Sequence, residues 1–431
     1  MRIHVVAPGD TLAGIARRYG VSVARLMADN GIAPDQTLAV GQALIVTLAE
    51  EIYEVERGDT LTSISRSLGV TPLTLIQNNP TLTRDPVLRP GQNLTVSFQG
   101  EKIRELTLLG FVYPYVDLTV LRSALPFLTY LAVFSYGFRA DGTLIVPRDQ
   151  RLLTEAFRFG TAPVLVLTAI TEDGGFSSEK VSAFLRDPAL QETVLENLMA
   201  VMAEKGYVGM DVDFEYIPGE DAENFLSFLR RASAILGENG FFLSVDLAPK
   251  TGGDQVGLLY EAHNYPAIGA IADVLHIMTY EWGYTYGPPM AVAPLDAVRR
   301  VLTYGVSVIP PEKILMGIPN YGYDWTLPYE RGVTAAENIG NQTAVARAGA
   351  YRAEILFSDR AQSPYFRYTR NGRSHEVWFE DVRSIQAKFD LCDELGLRGA
   401  FYWNLMRPFR QNWAFISTRY TVEKRLPLRL D

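Results

Sequence analysis

The chain has 431 residues, a length that predicts more than one domain. Hydrophobic residues make up 48% of it, which indicates a large packed core and excludes extended disorder. The net charge of -9, from 40 Lys plus Arg against 49 Asp plus Glu, disfavours a nucleic-acid binder and suits a neutral ligand.

The sequence offers little for disulfide or metal chemistry. Cys392 is the one cysteine, and the four histidines lack the spacing of paired metal ligands. We therefore expect no disulfide, no metal and no cofactor. The first residues lack the apolar segment of a secretory signal, and no stretch reaches the roughly 18 apolar residues of a membrane span, so we expect neither that export route nor a membrane partner.

The first hundred residues contain an internal repeat. Residues 5–30 (VVAPGDTLAGIARRYGVSVARLMADN) align with residues 54–79 (EVERGDTLTSISRSLGVTPLTLIQNN), and VGQALIV at 40–46 returns as PGQNLTV at 90–96. Each copy predicts a strand, two helices and a second strand, because a short alternating run ends at Gly-Asp-Thr, where Asp or Thr can cap a helix.

The two copies resemble LysM domains over nearly their whole length, in GDTL, the Gly-Val connection, the terminal Asn and the later Gly-Gln. The resemblance assigns residues 1–48 and 50–98 to two modules. It implies binding of glycans that contain N-acetylglucosamine, such as peptidoglycan or chitin, between the start of the first helix and the loop before the last strand. Two linked weak sites raise effective concentration, which gives the duplication a use.

From residue 105 onward, short apolar runs alternate with helical patterns, which is typical of βα units. Residues 101–431 are therefore predicted to form a TIM barrel, an α/β fold whose chemistry lies at the carboxyl ends of its strands. The Tyr-, Arg- and Gly-rich part at about 323–380 is predicted to be a small α+β insertion. The eight predicted strands are residues 106–113, 131–138, 164–170, 208–216, 241–248, 273–280, 313–321 and 399–404.

The fourth predicted strand contains GMDVDFEYIP, in which Asp211, Asp213 and Glu215 alternate with hydrophobic residues. Alternate strand residues share a face at a spacing of roughly 6–7 Å, so the three carboxylates should line the barrel interior, with Glu215 nearest the rim. Unpaired anions there would cost several kcal/mol, so at least one must hold a proton or accept good hydrogen bonds. Like-charge neighbours raise a carboxyl pKa, as a general acid near neutral pH requires.

Aromatic residues lie at the inward-facing ends of other predicted strands, where no Lys or Arg is found. Tyr136, Tyr280, Tyr321 and Trp403 hold these positions. Aromatic rings stack on sugar faces and phenol hydroxyls hydrogen-bond sugars, so the pattern predicts a carbohydrate site. A purely structural role, with the acids in salt bridges, is disfavoured because cations are missing from these positions.

Residues of about 103–420 resemble glycoside hydrolase family 18, the chitinase-like TIM barrels. The family's fourth strand carries D-x-x-D-x-D-x-E, and the matching positions here are Val208 followed by the three acids, so only the first, supporting Asp is missing. Met278-Thr279-Tyr280 matches the family's M-x-Y, with Glu281 where Asp is usual. Trp403 fits the tryptophan of the eighth strand.

The resemblance implies a substrate-assisted retaining mechanism. Glu215 would protonate the glycosidic oxygen while the 2-acetamido carbonyl attacks its own anomeric carbon. Asp213 would orient the acetamido N–H, and Asp211 would hold Asp213. Tyr280 would hydrogen-bond the acetamido carbonyl, with Trp403 beneath the sugar.

The combination of two LysM-like modules with this barrel resembles the spore cortex-lytic N-acetylglucosaminidases of endospore-forming bacteria. That resemblance implies cleavage of peptidoglycan β-1,4 bonds after N-acetylglucosamine at germination, by a protein made in the mother cell and held in the spore coat or cortex. If the protein is not a spore protein, the missing secretory signal predicts a cytoplasmic location. Two alternatives stay open: a chitinase or chito-oligosaccharide hydrolase, and a non-catalytic glycan-binding coat protein.

Overall fold

The computed structural model describes residues 1–83, 87–170, 175 and 177–429. It begins with two small βααβ units, as the repeat predicts, and in each unit the two strands pair antiparallel. The first unit contains β1 (Arg2–Val5), α1 (Leu12–Tyr19), α2 (Val23–Asn30) and β2 (Ala43–Val46). The second contains β3 (Ala49–Glu54), α3 (Leu61–Leu68), α4 (Pro72–Asn78) and β4 (Asn93–Phe98).

The repeated motifs set the ends of the helices. Thr11 caps α1 by accepting from the Gly14 N–H, and Thr60 caps α3 in the same way through the Ser63 N–H. Each helix then ends at a glycine in the left-handed region, with φ of 69° in the first unit and 67° in the second. The Gly-Asp-Thr and Gly-Val motifs therefore define one helix in each module.

The remaining strands belong to a barrel and its insertion. They are β5 (Glu105–Val112), β6 (Tyr130–Phe138), β7 (Leu144–Ile145), β8 (Ala162–Thr168), β9 (Gly209–Asp213), β10 (Phe242–Leu247), β11 (Val274–Ile277), β12 (Ile314–Pro319), β13 (Gly322–Thr326), β14 (Glu337–Ile339), β15 (Leu356–Ser358), β16 (Ser363–Arg370), β17 (Arg373–Trp378), β18 (Gly399–Trp403) and β19 (Thr421–Val422).

Eight of these strands close a parallel barrel, which confirms the predicted TIM-barrel class. The order is β5, β6, β8, β9, β10, β11, β12 and β18, and β18 pairs back with β5. The helices that follow residue 105 are α5 (Leu118–Ala124), α6 (Gln150–Arg158), α7 (Ser178–Leu185), α8 (Pro188–Lys205), α9 (Ala222–Glu238), α10 (Tyr265–Ile271), α11 (Leu295–Val308), α12 (Asn341–Ala350), α13 (Val382–Glu394) and α14 (Arg410–Arg419).

The insertion lies between β12 and α13 and has the predicted α+β character. Its antiparallel sheet has the order β14, β13, β17, β16, β15. Phe366, Val377 and Phe379 of this sheet form one buried cluster with Ala344 and Ala348 of α12. Ala39 of the first module belongs to the same cluster, so the insertion shares its small core with that module.

The first module packs directly on the barrel and its insertion. The Gln411 side chain, at the start of α14, donates to Asn30 Oδ1 at 2.9 Å and to the Ala43 carbonyl at 2.7 Å. The Ile355 N–H of the insertion donates to the Val40 carbonyl at 2.8 Å. These contacts fix the first module against the barrel and its insertion.

Arg25 joins the two modules to each other. Its guanidinium donates to Asp29 at 2.7 Å within the first module and to the Asn78 carbonyl at 2.7 Å in the second. It also lies over the ring of Phe98, with its Cζ 5.1 Å from the ring centre. Among all the helices in the described ranges, none has the length and apolar character needed to cross a bilayer.

Candidate active site

The predicted carboxylates lie where the fourth barrel strand ends. Asp211 and Asp213 of β9 are buried, at 0% and 5% exposure. Met210 and Val212 alternate with them and belong to the hydrophobic cluster that includes the helix layer. Glu215 is only partly buried, because the strand ends at Asp213 and the acid lies two residues beyond it, at the rim.

Asp211 is held by polar side chains from the next two strands. Ser244 of β10 donates its hydroxyl to Asp211 Oδ1 at 2.6 Å. His276 of β11 places Nδ1 3.2 Å from Asp211 Oδ1 and 2.9 Å from Asp246 Oδ1. The parallel registers bring them together, since Ser244 pairs with Asp211 and Asp246 pairs with His276.

His276 compensates much of the negative charge inside the barrel. Burial opposes its protonation, but Asp211 and Asp246 outweigh burial and raise the His276 pKa to about 9. Burial and the Asp211 charge raise the pKa of Asp246 to about 8. The three groups could also hold a metal ion, since their ligand atoms lie within 4.8 Å of one another. A histidine that lies within hydrogen-bond distance of both aspartates accounts for these short distances without an ion.

Asp213 is a buried acid with one oxygen that is unpartnered within the described part of the chain. Burial, followed by the charges of Asp246, Glu215 and Asp211, raises its pKa well above the ordinary value. Its Oδ1 is buried and has no hydrogen-bond partner among the residues that the structure describes. A buried oxygen of this kind is suited to a donor brought by the substrate.

Glu215 has the protonation behaviour of a general acid. Burial and then the charge of Glu281 raise its pKa to about 7. Glu281 is itself held by two phenols, since the Tyr321 hydroxyl donates to Glu281 Oε1 and the Tyr323 hydroxyl lies 3.1 Å from the same atom. Tyr321, predicted as a substrate-binding residue, thus contacts Glu281, and the charge of Glu281 acts on Glu215.

Tyr280 lies within electrostatic reach of the acids, and Trp403 belongs to a group of aromatic rings in the barrel interior. Burial and then the charges of Asp246, Asp213 and Glu215 raise the Tyr280 pKa well above its ordinary value, so its hydroxyl stays protonated as a donor. The Trp403 ring centre lies 5.2–5.9 Å from three other aromatic rings of the barrel interior, those of Phe111, Tyr113 and Phe134. These rings form an aromatic wall beside the carboxylates.

Tyr136 is not part of this site, and the prediction for it was wrong. Its ring is fully buried, its hydroxyl donates to Asp149, and Lys205 of α8 lies 3.0 Å from the same hydroxyl. The pairing of β6 with β8 shifts register between Val133 and Tyr136. Because a one-residue irregularity reverses which face a side chain points to, simple alternation fails at this position.

Two residues next to the acids adopt a left-handed backbone that is uncommon outside glycine. Tyr216, directly after Glu215, has φ of 56°, and Glu281, directly after Tyr280, has φ of 66°. The turn at Tyr216 also explains why the strand ends before Glu215. Such conformations concentrate at functional sites, where the surrounding structure holds them.

His276, Asp246 and Ser244 belong to the site although the sequence motifs did not predict them. The signal was present: His276 stands four residues before Tyr280 in the sixth strand, so alternation places both on one face. Asp246 and Ser244 alternate in the same way in the fifth strand. We judged the histidines by spacing along the chain, whereas strand pairing across the barrel brings this one to the acids.

The chain has the architecture of a modular glycosidase. Two LysM-like repeats precede a TIM barrel that carries carboxylates at the end of its fourth strand. The model of glycosyl hydrolases family 18 matches residues 129–407, and the LysM domain model matches residues 4–47 and 53–97. The chain belongs to glycosyl hydrolases family 18, and it is a glycoside hydrolase with two LysM domains.

Two cortex-lytic enzymes are similar to nearly the whole chain, and a chitinase is similar to about three quarters of it. The cortical fragment-lytic enzyme of Bacillus anthracis is 39% identical over 99% of this chain and 100% of its own. The crystal structure of the Bacillus cereus spore cortex-lytic enzyme SleL is 39% identical, with a TM-score of 0.83 over 98% of each chain. A chitinase from Chromobacterium violaceum is 25% identical, with a TM-score of 0.67 over 73% of this chain and 98% of its own.

Proposed function

We propose that this protein hydrolyses peptidoglycan of the bacterial spore cortex, at β-1,4 bonds that follow N-acetylglucosamine. One observation carries the proposal: the full-length similarity to cortex-lytic enzymes is combined with Glu215, whose pKa of about 7 suits a general acid, beside Asp213. The spore coat or cortex is the corresponding location.

The first step breaks the glycosidic bond. Glu215 gives its proton to the bridging oxygen, the bond from that oxygen to C1 breaks, and the acetamido carbonyl oxygen of the same sugar bonds to C1. The buried Oδ1 of Asp213 accepts the acetamido N–H as positive charge develops on the oxazolinium ring. Asp211, held by Ser244 and His276, fixes the position of Asp213.

The second step opens the oxazolinium ring. Water gives a proton to the Glu215 carboxylate and attacks C1, and the bond from C1 to the acetamido oxygen breaks, so the configuration at C1 is retained. Tyr280 donates its hydroxyl hydrogen bond to the acetamido oxygen, and Trp403 supports the sugar ring from below. A sugar without its N-acetyl group supplies no nucleophile and is not cleaved.

The LysM pair supplies a second contact with the same polymer. Both modules carry the motif set of a family that binds N-acetylglucosamine glycans, and the first is fixed to the barrel through Gln411. A glycan strand held by the modules stays near the barrel mouth at high effective concentration. We propose that the modules raise activity on insoluble cortex more than on short oligosaccharides.

The test compares wild type with Glu215→Gln on spore-cortex peptidoglycan fragments and on N-acetylglucosamine oligomers, with products read by mass and reducing ends. We expect muropeptides that end in N-acetylglucosamine from wild type alone. Glu238→Gln, at the exposed end of α9, is the matched control and should behave as wild type. Cleavage of the plain oligomers alone would identify a chitinase. Equal cleavage by wild type and Glu215→Gln would show that Glu215 is not the acid, and no cleavage by either would identify a glycan binder.

A further inference from the structure

A pocket with a volume of about 420 Å³ lies outside the acid site. It lies between the loop that follows β10 and the first half of α11. Polar and aromatic side chains share its lining, namely Thr251, Asp254, Gln255, Tyr260, Trp282 and Arg300. None of them has a role in the two steps described above.

Two short connections place this pocket next to the general acid. Trp282 directly follows Glu281, whose charge acts on Glu215. Tyr260 and Glu215 both act electrostatically on the hydroxyl of Tyr216, an exposed residue that directly follows Glu215. The pocket is therefore formed by the segments that follow β10 and β11, and two of its residues, Tyr260 and Trp282, are linked to the neighbours of Glu215.

The position of the acid determines which sugar lies near this pocket. Glu215 protonates the oxygen that departs with the leaving sugar, so groups close to that oxygen lie close to Glu215. In peptidoglycan cleaved after N-acetylglucosamine, the leaving sugar is a muramoyl residue joined through its O4. Its neighbouring O3 carries a lactyl group whose carboxyl is free or bears a peptide, whereas chitin has a plain hydroxyl there.

The pocket offers the groups that such a substituent needs. Arg300 provides a guanidinium that is largely solvent-exposed and bonds Asp296 weakly, at 3.4 Å, so donors remain available. Asp254 provides a carboxylate that suits an amino group, and Thr251 and Gln255 can bond peptide amides. Trp282 and Tyr260 give apolar area for the lactyl methyl group.

We propose that this side pocket binds the 3-O-lactyl group of the leaving muramoyl residue together with the start of its peptide, with Arg300 pairing with a carboxylate. This specificity role rests on the proposed function, because it requires a muramoyl leaving sugar. It selects acyclic muramoyl substrates over chitin-type substrates, which leave the pocket empty.

The kinetic test uses Arg300→Gln and Thr251→Trp, which remove the cation and fill the pocket. The control is Arg299→Gln, since Arg299 lies in the same helix but bonds Glu394 of α13. We expect Arg300→Gln to lower kcat/KM about three- to tenfold on a peptide-bearing muramoyl tetrasaccharide, the range for a partly exposed charged pair. Activity on an aryl glycoside of diacetylchitobiose, whose leaving group has no lactyl group, should stay unchanged. An equal loss of kcat/KM on both substrates, or no loss on either, would contradict the proposal that the pocket binds the lactyl group.

A binding test separates this proposal from the proposed function. Titration calorimetry with muramyl dipeptide should show binding to wild type and to Glu215→Gln, and at least threefold weaker binding to Arg300→Gln and Thr251→Trp. Equal affinity in all four proteins would overturn the pocket even for an active hydrolase. A wild type that cleaves no muramoyl glycan would contradict the proposed function, while the calorimetry would still decide whether the pocket recognises the lactyl peptide.

Discussion

His276 Nδ1 lies 2.9 Å from Asp246 Oδ1, and both side chains are buried inside the barrel. The imidazole also faces Asp211, the acid at the base of the catalytic motif. A positive charge there stabilises carboxylates that would otherwise repel one another. Protonation of His276 therefore affects both the stability of the barrel and the position of Asp211 in the active site.

We expect His276→Leu to lower the free energy of unfolding by roughly 3–5 kcal/mol, because it leaves buried carboxylates without their cationic partner. The folded-state pKa of about 9 lies above the ordinary 6.5. The stabilisation by His276 is therefore complete below pH 6.5 and is lost as the pH rises to about 9. Denaturant melts should show a stability that falls with pH in wild type, with Asp246 contributing up to its pKa of about 8 and His276 up to about 9. The fall should be shallower in the variant, which keeps only the Asp246 contribution.

His263 provides the control for that experiment. It is also buried, but burial lowers its pKa to about 4, so the ring is neutral across the measured range. His263→Gln should reduce stability without changing the slope between pH 6.5 and 9. A slope in His276→Leu as steep as that of wild type would assign the whole titration to other groups, such as Asp246.

The pKa of Glu215 predicts the alkaline limb of the activity profile. The acid must be protonated, so kcat/KM should fall as the pH rises through about 7. Glu281→Gln removes the neighbouring charge while its side-chain carbonyl still accepts from Tyr321. The limb should then move to lower pH, a shift that Glu238→Gln should not produce. An unmoved limb in Glu281→Gln would mean that burial alone sets the Glu215 pKa.

The same Tyr→Phe substitution should have opposite effects at Tyr280 and Tyr136: the first should affect activity and the second stability. Tyr280→Phe removes the hydroxyl that would hold the acetamido group, so we expect kcat to fall by about 10²-fold with an almost unchanged melting temperature. Tyr136→Phe removes the hydrogen bond to Asp149, so it should cost about 1–2 kcal/mol of stability and leave kcat unchanged. Steady-state kinetics and thermal melts of both variants check this pair, and a kcat loss in Tyr136→Phe would return it to the site.

The sequence was enough to predict the barrel and the faces of its fourth strand. Eight apolar runs that alternate with helical patterns are compatible with few folds other than a TIM barrel. The alternation of residues along the fourth strand placed Asp211 and Asp213 on its inward face. Tyr136 failed because the irregular pairing of β6 with β8 depends on neighbours distant in the chain. The contact between Asp246 and His276 likewise depends on strand register, which local patterns leave open.

The internal repeat supplies the last prediction, on how the first LysM module is held. Gly41 and Gly91 occupy equivalent positions before the last strand of each module, with φ of 79° and 82°. A Cβ on Gly41 would lie 1.9 Å from the Ile355 carbonyl oxygen of the insertion, whereas a Cβ on Gly91 would meet nothing within 4 Å. Both changes to Ala carry the left-handed penalty of about 1 kcal/mol, but only Gly41→Ala also forces the module from the barrel.

We therefore expect Gly41→Ala to separate the first module from the insertion and barrel, so that proteases cleave the chain between them. Gly91→Ala should leave this chain segment resistant to proteases. Limited proteolysis and small-angle scattering should show a more extended particle for Gly41→Ala alone. If the modules hold glycan near the barrel mouth, Gly41→Ala should also lose activity on insoluble cortex while keeping it on short oligosaccharides. The same scattering profile for both variants would mean that the contact at Ile355 does not hold the module, and that Gln411 is sufficient.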